Sequence, residues 1–343
     1  MSDRYPADSR SRRNIVTLCV LLAALTGLYS GPTAPATPAD DGPELLEVKK
    51  IWDRAPHNAF TDLVRFDGRW LCCFREGEGH VSPDGNIRII TSPDGEKWTS
   101  TALLSVEDRD LRDAKVSVTP DGNLMLTTAA SWQEDGERHI RSMTWFSRDG
   151  KTWNGPWRVG DRDVWLWRVT WHNGRAYGVG YGCGDKRFIR LYRSHCGRRF
   201  DTVAPTIFDK GYPNETKLMF RFTGRCLCLL RHEGEEAKLG SSMPPYTDWS
   251  WEGLGTYLGG PNMIQIPDGR IVAAGRVLDP TRTALLWLDT GENRLERFLT
   301  LPSGGDTSYP GLAWHDGVLW VSYYSSHEEK TSIYLAKVDI PLE

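Results

Sequence analysis

Short apolar runs recur along this chain, and each starts just after a turn that ends in glycine. Trp70-Leu-Cys-Cys-Phe74, Asn123-Leu-Met-Leu126 and Arg175-Ala-Tyr-Gly-Val179 follow Asp67-Gly68, Asp121-Gly122 and Asn173-Gly174. Cys226-Leu-Cys-Leu-Leu230, Arg270-Ile-Val-Ala273 and Val318-Leu-Trp-Val-Ser322 follow Thr223-Gly224, Asp268-Gly269 and Asp316-Gly317. The turn glycines step by 54, 52, 50, 45 and 48 residues. Asp-Gly and Asn-Gly pairs tolerate the positive φ angles of tight hairpins, so they mark strand reversals, and the runs between them have strand length. Six reversals with six following strands, at a period near 50, predict an all-β chain of six four-stranded antiparallel blades, a six-bladed β-propeller.

A second ruler runs through the same residues. Ser92-Pro-Asp94-Gly95-Glu-Lys-Trp98 and Ser147-Arg-Asp149-Gly150-Lys-Thr-Trp153 share one pattern, Ser194-His-Cys-Gly197-Arg-Arg-Phe200 keeps part of it, and Ser241 and Asp289-Thr-Gly291 are fainter echoes. The serines step by 55, 47 and 47 residues. Side chains of these types brace a turn by bonding its backbone and packing an aromatic between sheets, so Asp94 and Asp149 are assigned to fold rather than chemistry.

Six such blades occupy residues 45–343 and leave no room for a second domain. Ahead of them, Arg10, Arg12 and Arg13 precede an apolar stretch over 15–28, followed by small and Pro-rich residues. That order reads as a signal peptide or signal anchor over 1–31 and a flexible linker over 32–44. An exported protein, periplasmic or extracellular, is expected, with a membrane tether if the segment stays uncleaved. The formal net charge is -3, and Lys and Arg are scattered, so no nucleic-acid partner is expected. A monomer is the expected state. Cys72-Cys73 and Cys226-x-Cys228 lie within apolar runs at spacings unsuited to disulfides, which favours buried free thiols.

In a propeller the innermost strands converge on one funnel, and here they precede the glycine turns. Their leading segments are Phe60-Thr61-Asp62, Leu111-Arg112-Asp113, Trp165 to Arg168, Asn214-Glu215-Thr216, Gly260-Pro-Asn262 and Thr307-Ser308-Tyr309. Polar and ionisable groups stand where a purely structural strand would carry Val or Ile, and their convergence makes the funnel the candidate site.

These segments resemble the bacterial exo-sialidases (neuraminidases), whose Asp-box turns and six blades match the two rulers. Asn214-Glu215 followed by a strand, a glycine turn, a strand and Arg231 carries the resemblance furthest. The resemblance implies that Glu215 activates a nucleophile and that Arg231 binds a substrate carboxylate. It implies a second carboxylate-binding arginine at Arg282, in Thr281-Arg282-Thr-Ala-Leu-Leu-Trp, and a nucleophilic tyrosine at Tyr309. A general acid is implied on the first-blade loop, where Asp84 is the nearest match, with His80 and Glu78 as alternatives. The implied substrate is a glycan or glycoconjugate ending in an acidic sugar, with no metal or organic cofactor.

The residue types suit that chemistry. A carboxylate on the anomeric carbon repels a carboxylate nucleophile, so a phenol activated by a glutamate is the better solution, and sialidases are the exception to the two-carboxylate rule. Arginine offers two parallel charge-assisted bonds to the substrate carboxylate.

The chain departs from the family at one place. The family's first blade opens with Arg-Ile-Pro, but Ala59-Phe60-Thr61-Asp62-Leu63 stands here, without an arginine. A substrate carboxylate would then rest on Arg231 and Arg282, unless Arg75, Arg112 or Arg168 substitutes; Asp62, Arg112, Asp113 and Asn214 complete the candidate substrate contacts. Two other functions fit: a glycan-binding propeller without catalysis, with Trp165, Trp167 and Trp171 lining the funnel, or a different hydrolase or lyase using Asp62, Arg112, Asp113 and His80.

Overall fold

The glycine turns reverse antiparallel strands, as their residues demand. At Asp67-Gly68, Asn173-Gly174 and Asp316-Gly317 both central residues have positive φ, between 46° and 80°, the geometry that twists a two-residue hairpin correctly. The computed structural model describes residues 42–343, and all 24 of its elements are strands. The predicted signal segment lies outside the described residues, and so does most of the predicted linker.

The chain opens with β1 (Glu44–Trp52). The first blade follows as β2 (His57–Phe66), β3 (Arg69–Gly77), β4 (Asn86–Ser92) and β5 (Thr99–Leu104). The second is β6 (Asp110–Val118), β7 (Leu124–Glu134), β8 (Glu137–Ser147) and β9 (Asn154–Val159). The third is β10 (Val164–His172), β11 (Arg175–Gly182), β12 (Ile189–Ser194) and β13 (Asp201–Phe208). The fourth is β14 (Pro213–Phe220), β15 (Cys226–His232), β16 (Lys238–Ser242) and β17 (Ser250–Gly253). The fifth is β18 (Gly259–Gln265), β19 (Ile271–Val277), β20 (Arg282–Asp289) and β21 (Arg294–Thr300). The sixth takes β22 (Thr307–His315), β23 (Val318–Ser325) and β24 (Ser332–Asp339) and is completed by β1, antiparallel to β24. Strands from the two ends of the propeller thus share one blade, and the ring is closed by main-chain hydrogen bonds that no truncation of either strand would leave intact.

The six-bladed β-propeller is therefore the architecture. Packing between neighbouring sheets forms the core, with Trp70 against Trp320 at 4.3 Å between ring centroids as one blade-to-blade contact. The Ser-x-Asp-Gly-x-x-Trp turns brace the outer hairpins: Gly95 N–H donates to Ser92 Oγ (2.8 Å), Glu96 N–H to Asp94 Oδ1 (2.9 Å), and Trp98 Nε1 to the Gly95 carbonyl (3.0 Å). Ser147, Asp149 and Trp153 repeat the arrangement. The six cysteines of the described residues are free thiols, four of them buried.

One irregularity positions the site. Every innermost strand breaks register with its neighbour at the same level, between Ala59 and Asp62, Arg112 and Lys115, Leu166 and Val169, Pro213 and Thr216, Gly259 and Asn262, and Ser308 and Gly311. A bulge re-aims the side chains it carries. The residues inside these six breaks include Phe60, Asp113, Trp167, Glu215, Gly260 and Tyr309, and Phe60, Asp113 and Tyr309 adopt positive φ. Such backbone is uncommon outside glycine and costs free energy that surrounding packing must supply.

Candidate active site

The bulges bring Glu215 and Tyr309, from blades four and six, into direct contact. The Tyr309 hydroxyl donates to Glu215 Oε1. Arg231, on the strand next to Glu215, donates from Nη1 to both carboxylate oxygens at 3.0 and 2.9 Å, and Gly260 N–H reaches Oε2 at 2.9 Å. Burial acts to raise the Glu215 pKa, but Arg231 and the Tyr309 hydroxyl outweigh it and hold the carboxyl below its ordinary value. Tyr309 goes the other way: burial first, then the charges of Glu215 and Asp113, push the phenol well above its ordinary value. At neutral pH the pair is therefore a neutral phenol hydrogen-bonded to a charged carboxylate, which is placed to accept the phenol's proton. Trp167 meets the Tyr309 ring edge-on at 5.1 Å, and Phe60 packs against it at 5.2 Å.

A cavity of about 450 Å³ opens above this pair, lined among others by His80, Arg112, Asp113, Trp165, Asn214 and Tyr181. Asp113 is the unusual group here. Its side chain is buried, and Oδ1 has no hydrogen-bond partner. Burial pushes its carboxyl up to about 6, against the pull of Arg112 and Lys115 and with a further push from Glu215. Arg112 stands over the face of Phe60, 5.2 Å from the ring centroid, and its Nε has no partner. Arg138 and Arg187 add two more guanidinium groups to the wall.

Other predicted site residues go elsewhere. Asp84 accepts the Glu78 N–H at 3.1 Å in the first-blade loop and does not line the cavity. Burial there is outweighed by bonds from the Ser82 hydroxyl and the Glu78 backbone, so the carboxyl is held below its ordinary value, the wrong direction for a proton donor. Arg282 donates to its neighbour Thr281 (2.9 Å) beside Gly304, away from the cavity. Asp62 sits deeper on the axis, paired with Arg168 at 2.9 Å and accepting the Val116 N–H at 2.9 Å. Arg75 is fully buried, bonded to Asp110 and to the carbonyls of Gly79 and Ser82, so it pins the first-blade loop. Trp171 lines a different cavity, on the outer part of blades two and three.

Two residues outside the predicted set stand behind the cavity wall. Arg276 donates to the Thr307 carbonyl (2.8 Å), to Tyr324 (3.1 Å) and to Asp306 (3.3 Å). Asp306 in turn accepts from His57 at 3.1 Å and His80 at 2.6 Å. His57, His80 and Asp306 present ligand atoms within 4.8 Å of one another, the one such grouping among the described residues. Hydrogen bonds to a single carboxylate already account for that grouping.

No family model and no curated protein matches the chain. Solved structures do. A Trypanosoma rangeli sialidase in complex with sialic acid aligns with a TM-score of 0.65 at 13% identity, over 82% of this chain and 54% of that one. The chain thus spans about half the length of that sialidase. A Fusarium graminearum α-L-arabinofuranosidase, Arb93A, in complex with an iminosugar inhibitor aligns at 0.67 and 12% identity, over 86% of this chain and 98% of that one. A Penicillium chrysogenum α-L-arabinanase complexed with arabinobiose aligns at 0.67 and 14% identity, over 85% and 98%. At these identities the likeness is one of fold.

Proposed function

We propose that the chain is an exported exo-glycoside hydrolase of sialidase type, which removes a terminal acidic sugar with retention of configuration. The observation that carries this reading is the buried Tyr309–Glu215 contact, braced by Arg231 and opening into a basic cavity. Tyr309 is the nucleophile and Glu215 its base. Asp113, rather than Asp84, is the acid and base toward the leaving oxygen, because it lines the cavity and burial raises its carboxyl to about 6. The solved neighbours, sialidases and arabinan-degrading enzymes, support a glycosidase in general terms.

Arg112 replaces the missing first-blade arginine. It comes from the neighbouring blade, over the ring of Phe60, within the first-blade stretch that lacks the arginine. Arg231 is largely engaged, by Glu215 through Nη1 and by Glu233 through Nη2 at 2.5 Å, so Arg112, Arg138 and Arg187 supply the anion contacts. Arg112→Met is expected to raise KM for an acidic substrate by about 10-fold or more, the scale of one lost charge-assisted contact, with a smaller change in kcat.

A second reading is favoured by that same engagement of Arg231 and by Phe60: a neutral furanoside is cleaved with Glu215 itself as nucleophile and Asp113 as acid. A fluorogenic sialoside and a 4-nitrophenyl α-L-arabinofuranoside, offered side by side, separate the two. Proton NMR of the first-formed product tests retention. Turnover of the sialoside with retention is the expected result; turnover of the arabinoside alone selects the second reading, and turnover of neither sinks the hydrolase proposal for both sugars.

Gly260 holds the geometry of the pair. Its φ is +60°, its N–H bonds Glu215, and a Cβ there would stand 1.9 Å from Tyr309 Cδ1. Gly260→Ala is expected to displace the phenol and lower kcat about 10²-fold, since ångström-scale misplacement costs that much, while the β-sheet circular dichroism is retained.

A further inference from the structure

Below the bulges, all six innermost strands line a second, separate chamber of about 200 Å³ on the propeller axis. Its charge is unbalanced. Lys115, Arg168 and Lys217 line it, and Asp62 is its only carboxylate. Asp62 is already committed to Arg168 and to the Val116 N–H. Lys115 donates to the Thr61 carbonyl at 2.9 Å, a neutral acceptor. Lys217, which is partly buried and keeps some accessible surface, makes no hydrogen bond or ion pair among the described residues, and the buried Arg168 Nε has no partner. Arg168 itself is 5% exposed.

An isolated ammonium removed from water is costly unless it loses its proton or gains a counter-ion. Burial, and then the neighbouring Arg168 charge, lower both Lys115 and Lys217 to about 8. Near pH 7 both still carry their protons, so deprotonation does not remove the imbalance. The chamber has room for one small anion with a few waters, at about 30 Å³ of liquid volume per water. Ser117 and Thr127 add hydroxyls to its wall.

We propose that this axial chamber binds a small inorganic anion of halide size, held by Lys217 and the free Arg168 Nε. Arg168 also donates to the Pro310 carbonyl (2.9 Å), as does Asn262 (3.0 Å). Pro310 follows Tyr309, so the anion completes the charge balance directly beneath the nucleophile's bulge, and it is distinct from any anion taken by the cavity above.

The test uses the whole chain near pH 7. Melting is compared in sodium chloride and in sodium gluconate, an anion too bulky for the chamber, at equal ionic strength. A melting temperature higher in chloride by roughly 3 °C is expected for a site well above its dissociation constant, and Lys217→Met should abolish the difference. Crystals of the unaltered protein soaked in sodium bromide supply the second measurement, which does not depend on the variant folding. An anomalous peak on the axis beside Lys217 Nζ is expected. Equal melting in the two salts, or a chloride effect that survives in Lys217→Met, together with no anomalous peak in the chamber, overturns the proposal.

Discussion

Tyr309→Phe is expected to lower kcat on a fluorogenic sialoside by about 10³-fold or more, with KM nearly unchanged. Loss of a nucleophile removes an interaction made only along the reaction path, so it falls on kcat rather than on binding. The substitution leaves the ring in place: its packing against Phe60, Trp167 and Tyr324 does not involve the hydroxyl. Glu215 keeps Arg231 and the Gly260 N–H, so the carboxylate is not stranded and the fold should melt close to the parent. The variant also separates the two catalytic readings. If Glu215 attacked the sugar directly, the phenol would be only a hydrogen-bond donor, and its loss would lower kcat about 10-fold and shift the pH profile. Mass spectrometry of the parent treated with a fluorinated sialic acid gives the same answer independently, through a glycosyl adduct on the Tyr309 peptide or on the Glu215 peptide.

The turn glycines made the blades legible because a hairpin reversal is a local event, written in two residues. They also located the inner strands, and with them Glu215, Tyr309, Arg112, Asp113 and Asn214, since those strands are simply the ones preceding each turn. The bulges were not legible. A bulge is a mismatch in register between two strands, and no residue pattern within Leu111-Arg112-Asp113 says that Asp113 will adopt a φ of 56° and lose its solvent. Its raised pKa, and hence the role proposed for it, follows from burial among neighbours on other blades. The resemblance points to Asp84 by loop position alone, but Pro-Asp-Gly forms an ordinary turn there and the carboxylate is used within it. Arg282 likewise rests on a local likeness. A periodic signal pointed elsewhere: Arg75, Arg231 and Arg276 each lie seven residues after a turn glycine, at Gly68, Gly224 and Gly269. That offset places all three at the same level of their second strands, and it identifies Arg276 instead of Arg282 as the fifth-blade arginine near Tyr309. The charge imbalance of the axial chamber was hidden for a related reason, because Lys115, Arg168 and Lys217 come from three different blades and only the packing of successive blades brings them together.

Asp113→Asn is expected to lower kcat/KM by about 10²- to 10⁴-fold on substrates with poor leaving groups, the range for removal of a general acid. The effect should shrink on 4-nitrophenyl or 4-methylumbelliferyl glycosides, whose leaving groups depart without a proton. The pH profile carries the sign. A general acid works in its protonated form; burial raises Asp113 to about 6, so the working form is present below that pH and is lost above it. The parent should therefore show an alkaline limb in kcat/KM with a midpoint near 6, falling about tenfold per pH unit beyond it. In Asp113→Asn that limb should vanish, because the amide does not titrate in this range. Azide should accelerate the variant by attacking the glycosyl–tyrosine intermediate, which no longer has a base to activate water. Asp84→Asn provides the contrast: its carboxyl is held below the ordinary value by its turn, so it is already charged throughout the working range, and its loss should leave the alkaline limb in place. A limb that survives in Asp113→Asn and disappears in a His80 variant would instead move the proton donor to the ring that lines the same cavity and bonds Asp306.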